Sequence, residues 1–304
     1  MTVTTLPVWS VVPLAAVVVC WAYAAATVDA ALDPAPGRAR LARPLVETSR
    51  LLRQPRRVTP APDLLLWRIG IAGPFVAALL MAIVVPFGGH VVSGMAVGIV
   101  WFNAMDVVLW AFWWLAGWGP NSVYALVGGY RFLAQALAYE LPLMFALTAP
   151  AVAASSLDMR DVVMAQGELW FAVEMPVAFV VFLISVVGFS SWGPLGHPAG
   201  VDVADGVLAE PSGLDRLLLL VGRYALLAVG SAMAAALFLG GAAGPWLPGW
   251  VWSIVKTLAV LVMLVGVRRR VPIVRADRLM ALAWVVVLPL TLLQVLVVAV
   301  VELR

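Results

Sequence analysis

The sequence predicts an all-α integral membrane protein of about eight transmembrane helices plus one amphipathic surface helix. Of its 304 residues 64% are hydrophobic and 12% charged, and mean hydropathy is +1.03; soluble domains do not have this composition. Apolar stretches of the roughly 20 residues needed to cross a ~30 Å hydrocarbon core recur at about 6–28, 67–88, 95–116, 125–152, 168–188, 214–238, 250–267 and 279–301. The connections between them are short. Residues 1–304 therefore read as a single membrane domain, and any redox or nucleotide-handling module must sit on another chain.

The first span is read as a retained helix, because Met1 to Pro7 carry no basic residue and the apolar run exceeds a signal sequence's core. Cys20, inside it, is the only cysteine, so the chain can form no internal disulfide and cannot ligate a four-thiolate cluster. Next comes a segment at about 41–53 in which Leu41, Leu45, Leu51 and Leu52 alternate with Glu47, Arg50 and Arg53. It is too short and charged to span, which fits an amphipathic helix lying on the membrane surface. Pro55, Pro60 and Pro62 end it before the second span.

Charge sets the expected orientation. Arg38, Arg40, Arg43, Arg50, Arg53, Arg56 and Arg57 crowd the first connection, and Arg268, Arg269, Arg270, Arg275 and Arg278 crowd the last. The loops near His90 and Gly244 have no Lys or Arg. The positive-inside rule then puts the basic loops in the cytoplasm and both termini outside, in a multi-pass protein of the cell inner (plasma) membrane. The basic loops could also touch lipid head groups or receive a peripheral partner. His90 and His197 lie far apart, and GxGxxG, P-loop and HExxH motifs are absent. The expectation is a chain with no metal, no cofactor of its own and no nucleic-acid partner.

Ionisable groups inside spans cost roughly 2.5–3.5 kcal/mol each at the centre and usually face protein. Asp106, Arg131, Glu140, Glu174, Arg223 and Lys256 qualify. Glu174 and Lys256 lie within ~9 Å of an outer boundary and can snorkel. Asp106, Glu140 and Arg223 are deeper and are expected at paired or hydrated interior positions. On the fourth span Tyr124, Gly128, Arg131, Gln135 and Tyr139 share one stripe about 80° wide, while Glu140 falls on the opposite side from Arg131. A carboxyl among apolar helices is suited to accepting and releasing a proton. Arg223, ~13 Å into the sixth span, demands a buried carboxylate, with Glu140 or Asp106 as candidates.

The stretch from Ala116-Gly-Trp through Asn121-Ser, Tyr124-Ala-Leu, Gly128, Arg131, Ala134-Gln135 to Tyr139-Glu140 resembles the signature of the H subunit of proton-pumping NADH-quinone oxidoreductase, respiratory complex I. Pro44-Leu45, Glu47, Arg50 and Leu51-Leu52, then Val85-Pro86-Phe87-Gly88, Leu237 to Gly241, Lys256-Thr257, Pro272, Arg275, Asp277, Leu279-Met280, Trp284 and Pro289 continue the likeness in order. It implies a membrane-arm subunit that helps form the quinone tunnel and the start of the proton path. It also implies neighbours: a peripheral redox arm carrying flavin and iron–sulfur clusters, antiporter-like membrane subunits, lipid, and quinone as substrate at the interface. Glu140, Tyr139, Asp106 and Arg223 would belong to the proton path. Arg131 and Gln135 would shape the tunnel, with Glu47, Arg50, Glu210, Arg275 and Asp277 in its vicinity.

The resemblance fails between the fifth and sixth spans. The family carries an acidic run there, whereas this chain reads Gly188-Phe-Ser-Ser-Trp192-Gly-Pro-Leu-Gly196-His197, with only Asp202, Asp205 and Glu210 acidic before Gly213. Arg223-Tyr224 stands where Glu-Tyr is expected. These departures predict weakened or rerouted coupling. They also keep open an equivalent subunit of a hydrogenase- or ferredoxin-linked complex without quinone. Outside that class stand an independent ion transporter and a structural membrane anchor.

Overall fold

The computed structural model describes residues 3–33, 40–167, 169–200 and 206–302. In order the helices are α1 (Val11–Ala31), α2 (Arg43–Arg53), α3 (Leu64–Ala82), α4 (Gly98–Trp118), α5 (Val123–Ala153), α6 (Met159–Ala165), α7 (Phe171–Glu174), α8 (Pro176–Phe189), α9 (Gly213–Phe238), α10 (Gly249–Arg270), α11 (Ala276–Leu282) and α12 (Leu288–Glu302). A π-helical turn at Ala283–Val287 joins the last two into one rod. Among the described residues, seven helices are long and apolar enough to cross a membrane: α1, α3, α4, α5, α9, α10 and the rod at 276–302.

The expected span at 168–188 is the exception. Pro176 has no N–H to donate and pushes the residue before it out of the helical region. Met175 accordingly takes φ −131° and ψ 63°, separating α7 from α8. α8 keeps 14 residues, about 21 Å at 1.5 Å per residue, which is shorter than the hydrocarbon core.

The helices pack around α5 and α9, whose inner faces are lined with alanine, glycine and leucine. α3 lies between α4 and α9, α5 meets α4, α8 and α12, and α1 lies on α9. Small residues set the approach of α3 to α4: a Cβ on Gly70 would lie 2.2 Å from the Ala116 nitrogen, so only glycine lets these backbones touch. Helix starts follow local chemistry. Asp63 accepts from the Leu66 amide at 3.1 Å and Asp158 from the Arg160 amide at 2.9 Å, as N-cap carboxylates do.

One face of the bundle gathers the amino-terminal residues and the loop at 83–97. There β1 (Thr4–Thr5) pairs in parallel with β2 (His90–Val91), Thr4 opposite His90. The opposite face gathers both basic connections. Asp29, in the last turn of α1, and Asp33, just after it, hold them together: Asp29 pairs with Arg268 at 2.9 Å and Arg269 at 3.2 Å, and Asp33 with Arg43 at 2.5 Å. α2 lies on this basic face with Leu51 wholly buried, while Leu45 and Leu52 are about 60% exposed. Its apolar residues thus divide between the bundle and the surroundings.

Candidate functional site

α4 carries Asn103 and Asp106 three residues apart, hence on one face, and α5 brings Tyr139 and Glu140 against them. Asp106 is fully buried, and Glu140 and Tyr139 nearly so. The Tyr139 hydroxyl donates to Asp106 Oδ1 at 3.2 Å, and the Asn103 amide donates to Glu140 Oε1 at 3.0 Å. The two carboxyls lie close enough to interact electrostatically. Among the described residues, Asp106 Oδ2, Glu140 Oε2 and Asn103 Oδ1 have no hydrogen-bond partner. A hydrogen bond between carboxyls requires a proton on one of them. Two carboxyls this close can share one proton between their oxygens.

Arg223 does not pair with either carboxylate, contrary to expectation. Its guanidinium donates to the carbonyls of Ser190, at 3.4 Å, and Ser191, and lies 5.9 Å from the centre of the Trp192 ring. The physical reason is the chain just past α8. The Ser190 and Ser191 carbonyls follow its last residue, Phe189, inside the bundle near the negative end of the helix dipole, and a cation beside them meets their need without a carboxylate. Lys256 is satisfied similarly. Its Nζ donates to Leu239 and Ala243 carbonyls at 2.5 and 2.6 Å and lies 4.7 Å from the Trp170 ring centre, so it ends on backbone and indole.

Of the stripe read along α5, Gln135 and Tyr139 both meet Gly188 at the end of α8. Gln135 donates to the Gly188 carbonyl at 2.8 Å. Gly128 lies under the segment after α8: a Cβ there would come within 2.5 Å of the Val207 nitrogen. Arg131 is half-buried and Tyr124 exposed. The segment 190–200 is itself largely buried, so the chain that follows α8 stays inside the bundle. Asp202 and Asp205, with Arg38 in the first connection, lie outside the described residues.

At the basic face Arg50, Gln54, Arg57, Thr59, Glu210 and Arg216 help line a cavity of about 390 Å³. Arg50 makes two hydrogen bonds to Glu47, at 2.6 and 2.8 Å, and these hold the Glu47 carboxyl below the ordinary glutamate range. Glu210 accepts from Ser122 Oγ at 2.6 Å, which ties the segment before α9 to the start of α5. Arg275 and Asp277 pair with each other at 3.2 Å on the surface and line no part of this cavity.

Comparison with known proteins decides the family. A family model described as NADH dehydrogenase matches residues 3–299. The chain is 36% identical to NADH-quinone oxidoreductase H subunit 1 of Geobacter metallireducens over 268 residues, 84% of this chain and 82% of that protein. It is 33% identical to the NADH-quinone oxidoreductase H subunit of Geobacillus kaustophilus over 272 residues, 88% and 82% of the two chains. The corresponding H subunit of Rhodospirillum centenum is 36% identical over 243 residues, 76% and 72%. This chain belongs to the H-subunit family of NADH-quinone oxidoreductase.

In this member of the H-subunit family, the site differs from the sequence reading mainly in its partners. Asn103, Gly188, Asp29 and Trp192 were not singled out as site residues. Asn103 had a legible signal, since it lies one helical turn before Asp106 in an apolar span. Gly188 and Trp192 had none, because their roles depend on where α8 stops. Asp29 sits at the end of a span, where carboxylates are ordinary.

Proposed function

We infer that the chain is the membrane-arm subunit of a proton-translocating NADH-quinone oxidoreductase and that its Asp106–Glu140 pair takes up and releases the proton. The observation that carries this reading is the contact of two buried carboxyls, each also held by a neutral donor, Tyr139 for Asp106 and Asn103 for Glu140. Such a pair can change its proton count with little movement of atoms. Arg223 acts on the path only through the backbone it holds. Arg131 and Gln135 shape the neighbouring wall of the quinone tunnel.

Glu47, Arg50 and Glu210, gathered about the basic cavity, belong to the cytoplasmic side where quinone and the peripheral redox arm approach, with Arg275 and Asp277 on the same face. Flavin and iron–sulfur clusters reside on partner subunits, and antiporter-like subunits continue the membrane arm. The basic loops face the cytoplasm and both termini face outward. The acid-poor segment after α8 supports a second reading, a hydrogenase- or ferredoxin-linked complex. Identification of the subunits that copurify in mild detergent separates the two.

The deciding experiment is proton movement by the complex reconstituted in liposomes. Glu140→Gln and Asp106→Asn should each lower protons moved per electron at least several-fold while assembly is preserved. Unchanged stoichiometry in both variants would remove the pair from the path.

A further inference from the structure

The end of α8 lies deep inside the bundle. Gln135, bonded to its Gly188 carbonyl, is twelve residues from the start of α5, or about 18 Å, and Arg223 is ten residues from the start of α9, or about 15 Å. This last turn is held from two sides. From α9, Arg223 donates to the Ser190 and Ser191 carbonyls, and Gly230 lets α9 come close, since a Cβ there would lie 2.5 Å from Val186 Cγ1. From α5, Gln135 grips the Gly188 carbonyl at 2.8 Å. The Tyr139 ring fills the space where a side chain on Gly188 would stand: a Cβ would come within 2.6 Å of Tyr139 Cδ1 and 2.9 Å of Cε1. The hydroxyl on that same ring is the donor to Asp106.

We propose that the last turn of α8 is the seat of the carboxyl pair, with Gly188 and Arg223 as positioning residues that set the Tyr139 hydroxyl on Asp106. This rests on the reading of Asp106 and Glu140 as the proton-holding pair. A tyrosine ring has two side-chain torsions, and its place is decided by what its faces and edges touch. Ordinary carbon contact begins near 3.4 Å, so a methyl at 188 must push the ring by nearly an ångström. The 3.2 Å hydrogen bond from Tyr139 to Asp106 then lengthens past the range in which it counts as one. No polar atom is removed, yet Asp106 loses its neutral donor. Arg223 acts one step farther away. Without it the Ser190 and Ser191 carbonyls are stranded, the end of α8 shifts toward some other donor, and Gly188 moves with it.

The test uses the intact complex and infrared difference spectra of protonated carboxyl groups, recorded on reduction or on a pH jump. The band of the pair is the one lost in Asp106→Asn or Glu140→Gln, and Tyr139→Phe should shift it. Gly188→Ala should reproduce the Tyr139→Phe shift, and Arg223→Met should move the same band, with Arg223→Lys nearer to the parent. An unmoved band in assembled Gly188→Ala, where Tyr139→Phe moves it, would overturn the proposal. If Gly188→Ala fails to assemble, adding Tyr139→Leu makes room: restored assembly supports the contact, and continued failure overturns it. The two levels separate cleanly. A shifted band with unchanged proton movement keeps the positioning and removes the proton role, whereas an unmoved band with proton movement blocked in Glu140→Gln does the reverse.

Discussion

Asp29 at the end of α1 and Arg268 at the end of α10 form an ion pair at 2.9 Å, and Arg268 in turn lies 5.1 Å from the centre of the Trp192 ring. This relationship puts the two basic connections on one face. Cysteines at Arg53 and Arg270, in a chain with Cys20→Ser, should react with a membrane-impermeant reagent from the same side. Labelling from opposite sides would refute the arrangement.

Asp29 also accepts from the Tyr224 hydroxyl at 3.2 Å and from Arg269, so one carboxylate joins α1, α9 and α10. Its arginine partners are partly exposed, which screens the attraction. Asp29→Asn should therefore cost only about 1 kcal/mol, seen as a lower melting temperature of the detergent-solubilised complex. High salt should shrink the difference between parent and variant. A variant that melts like the parent at low salt would show that the cluster contributes nothing.

Arg223 holds two buried carbonyls, those of Ser190 and Ser191, that no other described side chain bonds, so its loss should be felt more strongly. Each stranded carbonyl costs on the order of 1–3 kcal/mol. Arg223→Met should sharply lower the amount of assembled complex, and Arg223→Lys should recover part of it, since an ammonium supplies the charge without the planar fork. Equal assembly of Met and Lys variants would contradict the capping role.

The Glu47–Arg50 pair gives a pH prediction. Arg50 holds the folded Glu47 carboxyl below its ordinary value of 4.5, so the stabilisation is fully present above that value and is lost as pH falls through the lower, folded one. Both groups are substantially exposed, so solvent screens the pair and the effect is small. Glu47→Gln should melt slightly below the parent at pH 7 and together with it in acid. A difference that grows as pH falls would have the wrong sign.

Much of the protein follows from its sequence because a bilayer restricts the choices. With no water to satisfy backbone groups, apolar runs of span length must be helices, and the two arginine-rich connections had to share a face for the span count to hold. The surface helix was legible from its charge alternation. Asp106, Glu140 and Tyr139 stood out in the sequence, since each polar atom in a span needs a reason. Their mutual contact did not, because helix phase relates residues on one helix and leaves open which faces of α4 and α5 meet. The break at Met175 was visible in principle at Pro176, but the length of the apolar run masked it. Only the tertiary structure decided Arg223. Sequence electrostatics asked for a carboxylate to pair with a buried cation, and the folded chain instead supplied the Ser190 and Ser191 carbonyls that follow α8 inside the bundle. That partner exists only once α8, α9 and the segment after α8 are packed together.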